Sequence, residues 1–475
     1  MVVNPSGQTI GKGLSSISPE SCLGVNERGH MTIEGNDSVE LAQKFGTPLW
    51  VVSEATIRNN LRMFKRVFEK NYPKVRIVYA SKANHSPAII RIVAQEGAWV
   101  DTVSLGHLRL ATLAGVPPGK IVFNGNNKSE TELETAVEMG IGAINVDSLD
   151  ELETLSRICK KIEKVANINI RLRGSYAKSA EKDAAFVKDN TSESKFGIDI
   201  PSGQAFEACR RALTDKFLNL RGLHHHVGWT AYPPLPYNRD LDLIRIKNQV
   251  EEVVDFALQV NEKLGFAPSV LDLGGGFRKT RPQGFGPNRV MSMPDLEEYA
   301  DTILDVITDM NVSKTLGQPE LWFEPGGFMV TDAVTLLSTV GTIKMVESGP
   351  GKGKWVAVDS SAYLFVRKLI FNFYHNSIIA NKALEPLTEI ADIVGPICTY
   401  DNVGDKVRVP RLERGDVVAT LDQGSYCETI STKYCAYLRP ATVLVNKERA
   451  DIITARETLD EYLAQYRLPT WLSAP

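Results

Sequence analysis

A chain of 475 residues exceeds the size at which a single hydrophobic core usually stops growing, so two domains are expected. Its 43% hydrophobic and 23% charged content is that of a globular protein with a large core. A formal net charge of −3 excludes general attraction to nucleic acid or an anionic membrane, so any ligand phosphate must be bound by a local, built site.

Residues 1–28 read as a polar extension, with no basic patch followed by an apolar run, and no stretch of the chain reaches membrane-spanning length. Six scattered cysteines lack C-x-x-C or zinc-like spacing, which fits reduced thiols and a cytoplasmic location. Residues 29–50, with GHMTIEGN, are expected to supply a strand and helix that pack with the C-terminal part. From 51 to 330, β-rich apolar runs alternate with amphipathic stretches: VRIVYA (75–80), WVDTV (99–103), KIVFN (120–124), GAINV (142–146), NINIRL (167–172), LRGLHHHV (220–227), SVLDLG (269–274) and ELWFEPG (320–326). Eight such runs predict an α/β fold of the (β/α)8 barrel type. A barrel gathers function at the C-terminal strand ends, where Lys82, Asn124, Asp147, Arg171, His226, Gly275 and Glu324 fall. A doubly wound sheet would carry its glycine fingerprint early, whereas here the glycines follow the seventh run. Beyond 330, AVTLLSTVGTIKMVES, KWVAVDS, DKVRVP, DVVATLD and ATVLVNK read as strands, predicting a C-terminal β domain over 331–475.

Lys82 follows a buried strand in VYASKANHSP. A lysine in a barrel mouth forms a Schiff base with a carbonyl cofactor when its pKa is lowered, although a lone lysine at a strand end is more often solvated. In LDLGGGF, Gly274, Gly275 and Gly276 let backbone N–H groups approach a phosphate closely. Glu324, in WFEPGGF, needs a cationic or hydrogen-bonding partner there, such as a protonated pyridine nitrogen. Of His224, His225 and His226, successive residues point to alternate faces. Without a carboxylate or cysteine at ligand spacing they suggest no metal, and a flat imidazole can instead stack on a cofactor ring. GPICTYDN brings Cys398 and LDQGSYCE brings Tyr426. The bland reading of these two is a buried thiol and a loop tyrosine.

Together with VFNGNNKSETEL, INVDSLDEL and SKFG, this ordered set resembles the fold-type III pyridoxal-5′-phosphate (PLP) decarboxylases, the group of diaminopimelate, ornithine and arginine decarboxylases. The resemblance implies an alanine racemase-like barrel plus β domain and a homodimer with shared active sites. It also implies roles: Lys82 as the Schiff-base lysine, His226 stacked on the ring, and Gly275 and Gly276 at the phosphate with Tyr426. Glu324 is then the partner of the pyridine nitrogen, Arg171 lies near the phenolic side, and Cys398 is the proton donor supplied by the second subunit. Glu324 distinguishes the chain from alanine racemase, where an arginine meets the ring nitrogen. The rival class is a noncatalytic PLP-binding regulatory homologue, but this chain keeps both Lys82 and Cys398.

Four departures point at the substrate: Gly327 for the arginine of EPGR, Trp229 for the serine of HVGS, His107 for the glutamate of SGGE, and Thr399 with Asn402 for acids after the cysteine. Removing those acids disfavours a distal ammonium, unless Asp401 compensates. Arg367, in DSSAYLFVRKLIFNFYH, matches the arginine that holds a distal carboxylate in diaminopimelate decarboxylases. The expected small-molecule substrate is an amino acid with a neutral or anionic distal end, modified or presented by a carrier protein, contacted by Arg367, Thr399 and Asp401. The alternative is diaminopimelate itself or a basic amino acid.

Overall fold

The computed structural model describes residues 22–174, 195–226, 239–279, 293–349, 351–371, 373–447 and 449–472, together with four two-residue strands at 2–3, 9–10, 281–282 and 290–291. Trp229 lies outside the described residues. The chain forms two compact units, one of 57–281 with 291–330, the other of 1–56, 282–290 and 331–475.

In the first unit every one of the eight runs is a strand: β1 (Val75–Ala80), β2 (Trp99–Thr102), β3 (Ile121–Phe123), β4 (Ala143–Val146), β5 (Ala166–Arg173), β6 (Leu218–His224), β7 (Val270–Asp272) and β8 (Glu320–Phe323). Each pairs in parallel with the next, and β8 pairs with β1, which closes an eight-stranded barrel. The connecting helices start where the sequence supplies caps. Ser129 and Glu132 form a reciprocal capping box for Glu130–Met139, and Ser148 caps Leu149–Ile162. Lys128 fixes the loop after β3 by donating to the carbonyls of Gly125 at 2.8 Å and Asn145 at 2.9 Å while pairing with Glu151 at 2.7 Å. Val78, Trp99, Val122, Ala143, Val270 and Trp322 pack together as one apolar layer.

The second unit is built on a nine-stranded mixed sheet. Its long strand Val334–Val346 pairs antiparallel with Leu49–Ser53, which in turn pairs parallel with Ala441–Asn446. Leu23, Met31, Ile33 and Leu41 join Leu337, Val417, Ala419 and Val443 in one buried cluster. The N-terminal segment is therefore part of this unit's core.

Candidate active site

A side-chain period of two explains how the barrel builds its polar mouth. The apolar layer holds Trp99, Val122, Ala143, Val270 and Trp322. Two residues further along the same strands stand Asp101, Asn124, Asn145, Asp272 and Glu324, all buried, joined by Asn169 of β5 and His224 of β6. The next step of two reaches Asp147, Arg171, Gly274 and His226, and from Ala80 it reaches Lys82.

These groups form one hydrogen-bonded network. Asn169 donates to the Asn145 side-chain oxygen at 2.9 Å, and Asn145 donates to that of Asn124 at 2.9 Å. The Asn124 amide nitrogen donates to both Asp101 and Glu324, at 2.7 Å each. Lys82 Nζ lies 3.0 Å from the second Asp101 oxygen, and His224 Nε2 lies 3.4 Å from the second Glu324 oxygen. Burial opposes ionisation of Glu324, but His224, Lys82 and His226 hold its carboxyl below the usual carboxylate range. Burial pushes Asp101 up to about 6, with Lys82 pulling it down and Glu324 pushing it up. Asp272 is driven well above its ordinary value by burial and then by Glu324, so it keeps its proton. The three acids are thus pushed apart, with Glu324 the most readily ionised, Asp101 next and Asp272 the least.

His224, Asp272 and Glu324 bring one ligand atom each within 4.8 Å of one another. Asp272 accepts the Gly274 N–H at 3.0 Å, and its raised pKa disfavours the deprotonated form that a metal ligand needs.

The glycines after β7 are required by space as well as by conformation. A Cβ on Gly275 would sit 2.4 Å from the Glu324 carbonyl oxygen, and one on Gly274, whose φ is +68°, would sit 2.6 Å from His226 Nδ1. Gly276 has a φ of +109° and open space beside it. The Gly275 N–H donates to His226 Nδ1 at 3.0 Å and so orients that ring. Arg171 stacks 4.3 Å over Phe196 and lies 3.7 Å from Asp147. The expected cofactor fits this donor set: an amine beside a carboxylate for its carbonyl end, an oriented imidazole for its face, a glycine turn for its phosphate and a buried carboxylate for its ring nitrogen. Of the departures, Gly327 opens the short helix Gly327–Val330, while His107 lies 3.4 Å from the Ser81 hydroxyl with its ring 5.2 Å from that of His85. Burial, with His85 and Lys82, takes the His107 imidazole down to about 4, so a neutral ring stands in that place.

The other sequence-selected residues lie in the second unit. Arg367 is buried, donates to the Ser425 hydroxyl at 2.8 Å and carbonyl at 3.3 Å, and stacks 3.7 Å over Phe373. Tyr426, half-buried, takes a φ of +53° next to that serine. Cys398 and Thr399 are exposed, and the Thr399 hydroxyl lies 2.9 Å from that of Tyr363. Asp401, expected to contact the substrate, is held by partners within the fold. One of its oxygens meets the Ser361 hydroxyl at 2.8 Å and the Ala362 N–H at 2.6 Å, and the other meets the Ile397 N–H at 3.1 Å. It ties its own loop to the turn at Ser361 because buried backbone N–H groups need an acceptor.

Asp101, Asn145, Asn169, His224 and Asp272 were not selected from sequence. Their signal was present, as single polar residues at the inward positions of otherwise apolar strands, but it emerges only once the inward face is known.

With this geometry described, comparisons with known proteins agree on its class. Residues 54–331 match the model of the pyridoxal-dependent decarboxylase family's pyridoxal-binding domain. The chain is 33% identical to a diaminopimelate decarboxylase of Bacillus methanolicus over 91% of this chain and 96% of that one, and 32% identical to one of Methanothermobacter thermautotrophicus over 94% and 98%. It superposes on the crystal structure of diaminopimelate decarboxylase from M. jannaschii with a TM-score of 0.85 at 31% identity, covering 95% of this chain and 99% of that one. A lysine/ornithine decarboxylase from Vibrio vulnificus, 22% identical with a TM-score of 0.67, shares the fold over 89% of this chain and 99% of that one. The chain belongs to the fold-type III pyridoxal-dependent decarboxylases and is an amino acid carboxy-lyase that uses pyridoxal 5′-phosphate.

Proposed function

We propose that this carboxy-lyase acts on diaminopimelate, releasing CO₂ and lysine. The observation that carries this reading is the state of the acids in the GPICTYDN loop and the strand after it. Asp401 is engaged by Ser361, Ala362 and Ile397. Asp405 pairs with buried Lys368 and accepts from Tyr400 at 3.1 Å and Asn402 at 2.5 Å. A substrate ending only in an ammonium would have to displace these partners, and burying a charge without pairing is costly. Arg367, held in plane by Ser425 and Phe373, suits the distal carboxylate of diaminopimelate. The near full-length likeness to diaminopimelate decarboxylases supports the same substrate, and nothing in those relatives supports the modified or carrier-linked substrate expected from the departures.

In this reading Lys82 attaches the cofactor, Gly275 and Gly276 with Tyr426 hold its phosphate, and His226 and Arg171 orient its ring. When bound, PLP supplies an electron sink for the pair left at Cα as CO₂ departs. Glu324 keeps the ring nitrogen protonated, since an ionised carboxylate favours the cationic form of its partner. Asn124 holds Glu324 toward the mouth, and the second subunit's Cys398 thiol returns a proton to Cα. A cytoplasmic homodimer belongs to this proposal.

The test is CO₂ release and product identity for the purified protein on meso-diaminopimelate, lysine, ornithine and arginine. Turnover of diaminopimelate to lysine is expected. Preferential turnover of ornithine or lysine would overturn the assignment and restore a basic substrate.

A further inference from the structure

Cys398 has a neighbour that the decarboxylation chemistry does not use. The Cys435 sulfur lies 3.8 Å from the Cys398 sulfur, and both residues are exposed free thiols. Their approach is built by several contacts. Tyr434 stacks on Tyr363 with ring centroids 5.2 Å apart, and Tyr363 meets Thr399, the residue after Cys398, at 2.9 Å. Behind the turn, Lys433 pairs with Glu457, which also accepts the Arg439 N–H at 3.2 Å. Cys435 itself takes φ +55° and ψ +27°, and Ala436 takes φ +59°. Two successive non-glycine residues in the left-handed region are uncommon and are sustained only where the surroundings impose them. Here that bend sets the Cys435 sulfur against that of Cys398.

We propose that Cys398 and Cys435 form an oxidisable dithiol, a covalent modification site at which an oxidant of the hydroperoxide class closes a Cys398–Cys435 disulfide and withdraws the Cys398 thiol from the reaction. Closing the bond takes the sulfurs from contact to a separation of about 2.05 Å, a movement within reach of side-chain rotation. One thiolate attacks a hydroperoxide oxygen, the O–O bond breaks, and an alcohol or water leaves. The second thiolate then attacks the resulting sulfenic sulfur, the S–S bond forms, the S–O bond breaks, and water leaves. Two thiols lose two electrons and two protons, and the hydroperoxide is reduced by the same amount. The consequence for activity rests on the reading of Cys398 as the proton donor, whereas the dithiol rests on geometry alone.

The test treats the PLP-loaded enzyme with diamide, whose N=N bond accepts the same two electrons and two protons without carrying sulfur to higher acids. The expected result is a linked peptide pair containing residues 398 and 435, with decarboxylation reduced about a hundredfold or more, the usual contribution of a general acid, and restored by dithiothreitol. Cys435→Ser should start with ordinary activity and keep it in diamide. Absence of the linked pair in the parent protein, or equal loss of activity in parent and Cys435→Ser, would overturn the proposal. Cys398→Ser, assayed without oxidant, separates the two readings. Full activity there refutes the proton-donor role and the loss of function predicted from it, while peptide mapping still decides the dithiol.

Discussion

Replacing Asn124 by alanine removes the one amide that bridges two buried carboxylates. Its nitrogen donates to Asp101 and Glu324 at 2.7 Å each, and its oxygen accepts from Asn145 at 2.9 Å. A hydrogen bond to a charged group contributes about 1.5–3 kcal/mol, so losing two costs roughly 3–6 kcal/mol, less whatever an entering water restores. The carboxylates share one donor and so lie within roughly 5 Å of each other, where two full charges repel by about 3 kcal/mol at an effective dielectric of 20. Asn124→Asp, which adds a third acid, should be worse than Asn124→Ala despite its matching shape. The assays are denaturant unfolding of the PLP-loaded enzyme near neutral pH and steady-state decarboxylation. An Asn124→Ala protein within about 1 kcal/mol of the parent, with kcat unchanged, would refute the claim that this network holds Glu324 in its working state.

Arg367→Ala should lower kcat/KM on diaminopimelate by about 10- to 150-fold, the equivalent of one charge-assisted contact, with PLP absorbance retained; loss of cofactor instead would mark Arg367 as structural. Burial, with His224 and Arg171, takes the His225 imidazole down to about 3. Because its folded pKa lies below the unfolded value near 6.5, its contribution to stability is present above pH 6.5 and is lost as pH falls toward 3, at up to about 1.4 kcal/mol per pH unit. Urea midpoints for His225→Gln should therefore show a shallower acid-side slope than the parent, and parallel slopes would contradict this. Mixing Lys82→Ala with Cys398→Ala protein should regenerate activity through hybrid dimers, and mutant-level activity despite demonstrated subunit exchange would exclude a shared site.

The barrel was legible because each of its eight strands is an apolar run bounded by glycine, proline or charge, and helix caps such as Ser129 with Glu132 mark the alternation. Lys82, Gly275 and Glu324 stood out as candidates because each breaks that pattern just past a strand. The asparagine ladder did not, since Asn145 and Asn169 look like ordinary polar residues until β4 and β5 are set side by side with Asn145 opposite Asn169. The partners of Asp401 were hidden for a related reason: sequence spacing places it among acids that meet a substrate, whereas the fold brings Ser361 and the backbone of Ala362, some forty residues earlier, against its carboxylate. The relation of Cys398 to Cys435 likewise depends on a left-handed bend that no residue type at 435 or 436 announces. The chain's departures from family motifs, read as signs of an unusual substrate, are local changes, while likeness to diaminopimelate decarboxylases extends over nearly the whole chain.

The most direct test of the central claim, that Lys82 at the mouth of the barrel carries the cofactor for decarboxylation, is borohydride reduction of the PLP-loaded enzyme followed by peptide mapping. The account predicts a phosphopyridoxyl label on Lys82 and loss of activity in step with labelling. Recovery of the label on another lysine, or full activity in a protein stoichiometrically reduced at Lys82, would contradict it.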